Sequence, residues 1–368
     1  MEVLKFEEKY NTLFNIIFSL LTILYLLKFV NIDRIDGISI VIFICILFLF
    51  MMHSLKYGIN GLKLTSLILF FLTVILNLFN GFTFLEIPYF FLLYTIILKD
   101  NKKFFKIHFI TLTVFVLTII LLSHFGYISN FVIYRSNGGI RNSLGFVHPN
   151  SLGLMIYSLT VCSLNLFEIK RFKSFFYLFL LLMNLWVLQL ADSRTSGYIS
   201  ILVIVFCYFF DKMGKLNKPL NSFFINLAIT MSVLFITLMS INFEASHIFQ
   251  FLNKLFTNRI FSSYIFFREY GISLFGKRID AIVSLVQGTV IIDSGYIGLL
   301  LQKGIIFFVL FLIFIFSRIK EYSFTLRESI LLISVFISLM FESYGYTVFL
   351  FPILFFDYLG KRKESINE

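Results

Sequence analysis

ISIVIFICILFLFMM, residues Ile38 to Met52, runs for fifteen positions without a charged side chain. GIIFFVLFLIFIF, Gly304 to Phe316, does the same near the other end, and similar stretches recur between them at a spacing set by bilayer thickness. Of the 368 residues, 59% are hydrophobic, 14% are charged and 52 are Phe, whereas a soluble domain is about half apolar and a quarter charged. No water-soluble fold could hide that much apolar surface. The chain is therefore expected to be an all-α integral membrane protein, a single transmembrane domain over residues 1–368.

About twelve spans are expected, near 11–30, 37–52, 64–80, 82–98, 107–125, 148–166, 174–190, 197–210, 222–241, 296–316, 329–341 and 345–359. Several are short for a full crossing, and the last pair alternatively forms one re-entrant unit. The first stretch, Asn11 to Val30, is too long for a signal-peptide core and has no small-residue cleavage site after it, so it is read as retained. An even count places both termini on one side.

Charge in the short loops orients the bundle. The segments on the N-terminal side hold 20 Lys and Arg, and the opposite short loops hold 4, namely Arg34, Arg135, Arg141 and Arg194. The positive-inside rule then puts both termini in the cytoplasm. The net charge of +11 is topological on this reading and implies no nucleic acid. Cys45, Cys162 and Cys207 fall in apolar stretches without ligand spacing and read as small buried hydrophobes. No Walker or Rossmann glycine pattern occurs, which argues against an ATP-driven pump.

The large hydrophilic excursion, 242–292, falls outside the cell. Within it His247 to Phe261 has apolar residues at helical spacing and is expected to lie on the membrane as an amphipathic helix. The remaining polar residues collect on the same outer side: Arg135, RNSLGFVHPN (Arg141 to Asn150), ADSRTS (Ala191 to Ser196), the loop arginines Arg259, Arg268 and Arg278, DSGY (Asp293 to Tyr296) and ESYGY (Glu342 to Tyr346). External arginines run against the orientation rule, and a site for an anionic ligand gives a reason for them.

At RNSLGFVHPN the chain resembles the Wzy-type polysaccharide polymerases, relatives of the O-antigen ligases, in which a GFxHPN stretch often opens a span. Three further features follow in the family's order: SRT after the seventh span; an external loop with a helix, an NRI arginine (Asn258 to Ile260) and LFG (Leu274 to Gly276); and D-x-x-Y with L-x-x-x-G (Asp293, Tyr296, Leu300, Gly304). The resemblance implies a plasma-membrane enzyme of a bacterium, with its active site facing outside. It would transfer a glycan from polyprenyl diphosphate to a sugar hydroxyl of the next lipid-linked unit and so build surface polysaccharide. The implied partners are the polyprenyl-diphosphate-linked oligosaccharide as donor and acceptor, membrane lipids, and the flippase and chain-length regulator of the pathway.

No metal-ligand cluster and no cofactor are expected, so arginines must neutralise the leaving group; the guanidinium fork bonds two phosphate oxygens and stays charged at any relevant pH. Arg194 and Arg259 match the family's diphosphate arginines, with Arg141 and Arg268 next. The acceptor hydroxyl needs a base. The related ligases carry histidine at the position of Asp293, so Asp293 and His148 are both candidates. Asn150, Tyr296 and Glu342 complete the expected substrate contacts.

Plainer readings stand beside these. Arg194 with Asp192 also suits an ion pair at a helix end, and His148 before Pro149 suits a structural start of the sixth span. His247 suits the surface of the loop helix. Glu86 and Lys303 either face a cavity or snorkel outward. Two rival functions remain open: a ligase moving finished glycan to another acceptor, and a flippase or transporter, which should carry its polar residues near the midplane.

Overall fold

The computed structural model describes residues 2–32, 37–57, 61–81, 85–94, 101–134, 139–167, 172–244, 247–256, 258–279, 282–285, 288–355 and 361–362. Thirteen α-helices lie among them. They are α1 (Glu2–Leu27), α2 (Ile38–Tyr57), α3 (Gly61–Asn80), α4 (Glu86–Tyr94), α5 (Asn101–His124), α6 (Pro149–Leu166), α7 (Lys173–Ala191), α8 (Arg194–Lys212), α9 (Ser222–Ile241), α10 (His247–Leu255), α11 (Arg259–Tyr270), α12 (Gly295–Glu321) and α13 (Leu326–Ser338). Lys103–His124 of α5, together with α7, α8, α9 and α12, are long and apolar enough to cross a bilayer, and Thr12–Leu27, Ile38–Ser54 and Leu64–Asn80 are shorter apolar helices. Their outward faces carry side chains such as Phe79, 80% exposed, and Phe175, 70% exposed. So wide an apolar exterior suits lipid tails rather than water. The protein is a helical membrane protein.

Among the described residues the strands are short pieces in the connections between helices. β1 (Val132–Tyr134) pairs antiparallel with β2 (Ile140–Asn142), setting Arg141 opposite Ile133. β3 (Pro219–Leu220) joins a small sheet, and β4 (Ile282–Leu285) and β5 (Gly288–Ile291) form a hairpin within the large loop. β6 (Tyr322–Thr325) pairs with β3 on one side and β7 (Lys361–Arg362) on the other.

At the centre lies α6, buried on every side from Ser151 to Leu164. Polar bonds hold its neighbours to it: the Tyr157 and Ser334 hydroxyls lie 2.8 Å apart, and the Asn184 amide donates to Thr160 Oγ1 at 2.8 Å. Such contacts matter between apolar helices, where lipid is no worse a solvent than a neighbouring leucine.

Two expectations are corrected. The predicted span 345–359 is no helix: its described part runs through 3₁₀ turns at Ser343–Tyr346 and Pro352–Leu354, while 356–359 lie outside the described residues. Every residue from Gly345 to Phe355 is buried, and the Phe349 ring lies 5.0 Å from Tyr25 and 5.5 Å from Phe18. Irregular backbone is tolerated at membrane depth only inside protein, and here the Ser158 hydroxyl donates to the Leu350 carbonyl at 2.5 Å. The predicted single helix His247 to Phe261 is two, α10 and α11. They are divided at Asn258, whose φ of 65° ends one helix before Arg259 opens the next.

The third feature was not expected. α12 breaks at Gly304, whose φ is 81°. Residues 273–277 of the large loop cross the break as a strap: the Ile305 N–H donates to Ser273 O at 3.0 Å and the Lys277 N–H to Leu301 O at 3.1 Å. The Asn80 amide of α3 donates to both Phe275 O and Gln302 O at 2.9 Å, tying strap to helix. Backbone groups opened by the break are thereby satisfied, as an apolar interior demands.

Candidate functional site

Arg259 stands at the start of α11 because Asn253 of α10 staples the preceding turn, donating to Asn258 Oδ1 and accepting from the Phe261 N–H, each at 3.0 Å. Its side chain turns inward and is 5% exposed. Nη1 donates to Glu342 Oε1 at 2.7 Å and to the Phe341 carbonyl, and Nε lies 3.8 Å from Asp293 Oδ2. Asp293 precedes α12 and Glu342 follows α13, and the two meet through Gly295. The Gly295 N–H donates to Leu339 O at 2.9 Å, and an added Cβ there would lie 2.7 Å from Leu339 Cδ2 and 3.1 Å from Glu342 O. Three separate motifs therefore converge on one guanidinium.

The two carboxylates differ. Glu342 is buried and bonded, so it anchors the arginine. The Asp293 side chain is 39% exposed and held loosely. Burial pushes both carboxyls above their ordinary range while Arg259 pulls them back. A poised, partly open carboxylate is the arrangement a general base needs.

RNSLGFVHPN folds against the end of α1. The Val147 N–H donates to Phe29 O at 2.8 Å and the Asn31 N–H to Gly145 O at 2.9 Å. Arg141, on β2, is buried; Nε donates to the Ala191 carbonyl at 2.9 Å and Nη2 to Asn150 Oδ1 at 2.5 Å. His148 caps α6, its Nδ1 accepting the Asn150 N–H at 3.0 Å. Its pKa is pushed down to about 4 by burial first, then by Arg141 and Arg259. At neutral pH the ring is uncharged with Nδ1 committed, so Nε2 carries the proton and offers a donor. His148 therefore sits as the cap of α6, while Asp293 keeps a partly exposed carboxylate.

The Ala191 carbonyl ties Arg141 to the ADSRTS turn. There Arg194 opens α8 and makes a forked contact with Asp192, 2.9 Å from Nε to Oδ1 and 3.4 Å from Nη2 to Oδ2. Arg194 thus forms an ion pair at a helix end.

Two expected contacts do not join the group. Arg268 is 67% exposed, 3.8 Å from Glu244 and 3.4 Å from the Tyr264 hydroxyl. Tyr296 is wholly buried, and its hydroxyl donates to Phe336 O at 2.9 Å, which makes it a packing anchor between α12 and α13 rather than a substrate contact. Sequence order places a residue on an element but not on a face of it, which is why neither position could be read beforehand.

Glu86 and Lys303 both turn inward rather than snorkel. The Tyr25 hydroxyl donates to Glu86 Oε1 at 3.1 Å, and the buried Lys303 ammonium donates to Asn77 Oδ1. Asn77, one turn before Asn80 on α3, drew no attention in sequence; a polar side chain inside an apolar stretch was its only signal. No group of three or more His, Cys, Asp and Glu side chains is placed to hold a metal ion among the described residues. No family model matches the chain, and no curated protein or solved structure is detectably similar to it.

Proposed function

We propose that this protein is a bacterial plasma-membrane glycosyltransferase that polymerises polyprenyl-diphosphate-linked oligosaccharide units into surface polysaccharide at the outer face. The observation that supports this most is that NRI, DSGY and ESYGY meet at Arg259, Asp293 and Glu342, with Arg141, itself bonded to Asn150 of RNSLGFVHPN, within electrostatic reach of Glu342. As it stands one guanidinium faces two carboxylates in the Arg259 group, and the excess negative charge is offset by Arg141, which lies within electrostatic reach of Glu342. A donor diphosphate would compete with Asp293 for Arg259, because the 3.8 Å contact is the weakest that guanidinium makes. Asp293 would then be released to receive a proton. The acceptor hydroxyl oxygen attacks the anomeric carbon, the bond from that carbon to the phosphate oxygen breaks, the hydroxyl proton passes to Asp293, and the diphosphate leaves as an anion held by Arg259 and Arg194. In this reading both termini are cytoplasmic.

Orientation is tested by thiol labelling in a background with the three natural cysteines replaced by alanine. Tyr127→Cys and Lys277→Cys, both at exposed positions, should react with a membrane-impermeant reagent in intact cells, and Lys215→Cys and Lys218→Cys should react only after lysis. The opposite pattern would place the site in the cytoplasm and end the proposal.

The product is tested by deletion. Cells without the protein should carry surface glycan of at most one repeat unit and accumulate lipid-linked single units on the outer face. Polymer of normal length that has lost only its attachment would favour a ligase. Units trapped on the inner face would favour a flippase.

A further inference from the structure

Beside the arginine group, and not part of it, polar side chains gather where α1, α4 and α12 approach one another. The Tyr25 hydroxyl donates to Glu86, and Lys28, just past the end of α1, holds its ammonium 5.1 Å from the centre of the Tyr25 ring. Glu86 is the carboxylate whose charge both Lys28 and Lys303 feel. Glu86 and Lys28 keep solvent-accessible surface, whereas Tyr25 and Lys303 are buried behind them. Tyr344 of ESYGY links this group to the first one: its hydroxyl lies within electrostatic reach of Glu86 and also of Glu342 and Asp293. The residue is 39% exposed, and its ring packs against Phe29 at 4.9 Å.

The chemistry of this group selects a ligand class. Lys303 is buried and bonded to Asn77, so at the accessible edge Glu86 and Lys28 offset each other and neither a diphosphate nor a cation is favoured over a neutral ligand. A sugar is neutral, offers hydroxyls that can donate to a carboxylate and accept from an ammonium, and has an apolar C–H face that packs on an aromatic ring. Glu86 has about four lone-pair positions, of which the Tyr25 hydroxyl takes one. Tyr344 supplies the ring, joined to Tyr25 and so to Glu86 through Phe29, whose ring lies 4.9 Å from Tyr344 and 5.7 Å from Tyr25.

We propose that Tyr344, Glu86 and Lys28 form a sugar-binding subsite that seats the acceptor glycan next to Asp293, with Tyr25 and Lys303 holding Glu86 in place. This rests on the polymerase reading, so the test uses two probes that report on the two sites separately. The full-length protein in lipid nanodiscs is titrated calorimetrically with oligosaccharide fragments of the host's own surface polysaccharide, and separately with farnesyl diphosphate. Tyr344→Ala and Glu86→Gln should each weaken oligosaccharide binding by about tenfold or more, the loss of one aromatic or one charged contact, and leave farnesyl diphosphate binding unchanged. Tyr344→Phe, which keeps the ring, should bind nearly as wild type does, and Arg259→Lys should show the reverse selectivity. Unchanged oligosaccharide binding in Tyr344→Ala overturns the subsite even where Glu86→Gln unfolds, since Glu86 would then be only a counter-ion for the lysines. No oligosaccharide binding by wild type also overturns it. Oligosaccharide binding without farnesyl diphosphate binding would support the subsite and remove the diphosphate reading instead.

Discussion

Arg259→Lys should lower polymer formation at least a hundredfold while the protein still reaches the membrane in near-normal amount. The guanidinium bonds Glu342 and the Phe341 carbonyl through Nη1 and faces Asp293 through Nε, three directions that a planar fork spans and a single ammonium cannot. Lysine keeps the charge, so Glu342 is not left buried and unpaired. Removing one donor aimed at developing charge in a water-poor site costs on the order of a hundredfold to a thousandfold in rate, about 3–4 kcal/mol. Arg259→Ala should differ in kind: stranding a buried carboxylate costs about 3–5 kcal/mol of stability, and the protein itself should be lost. Arg194→Lys should also be nearly inactive at normal abundance, since a partly exposed ion pair contributes under about 1 kcal/mol to folding. Arg268→Ala should be close to wild type, its exposed pair with Glu244 having no place in the group. Quantitative immunoblotting of membranes beside polymer measurement separates these outcomes. Near-normal polymer from both lysine variants would remove Arg194 and Arg259 from the site.

Gly276→Ala and Gly304→Ala should each prevent the protein from accumulating. Both glycines have φ of 81°, and they face each other across the crossing of strap and broken helix. An added Cβ at Gly276 would lie 2.0 Å from Gln302 O, and one at Gly304 would lie 2.3 Å from the Gly276 nitrogen and from Leu274 O. The obstacles are backbone atoms, which cannot swing aside as a side-chain tip can. Left-handed strain of about 1–3 kcal/mol combines with overpacking of about 1–3 kcal/mol, a large part of a typical stability of about 5–15 kcal/mol. Gly214→Ala is the control, with φ of 65° but nothing within 4 Å of its added Cβ, so it should cost only about 1 kcal/mol. Membrane levels and thermal inactivation of the three variants decide the matter. Normal accumulation of Gly304→Ala would mean the strap does not pack as described.

Apolar runs such as Ile38 to Met52 were readable as helices because in lipid a backbone must satisfy its own hydrogen bonds, so composition alone nearly dictates the element. Residues 345–355 are as apolar as any span yet form 3₁₀ turns, since protein surrounds them and the Ser158 hydroxyl reaches the Leu350 carbonyl. Which environment a stretch meets is not written in the stretch itself. The same difficulty hid the break at Gly304, where the glycine was visible but the strap that closes over it lies about thirty residues earlier in sequence.

For the candidate site, the sequence by itself determined which residue types are costly to keep where they stand: arginines on the side that disfavours them, a histidine before a proline, carboxylates beside apolar runs. That cost follows from each group's own hydration and needs no knowledge of its neighbours. Only the tertiary structure decided their partners. It set Arg259 between Asp293 and Glu342, engaged His148 Nδ1 in a helix cap, buried Tyr296 between helices and left Arg268 outside. Hydrogen bonds and ion pairs reach only a few ångströms and depend on direction, so they are settled by which faces of distant elements come to lie together. Hydrophobic content along the chain carries the elements but not that relative placement.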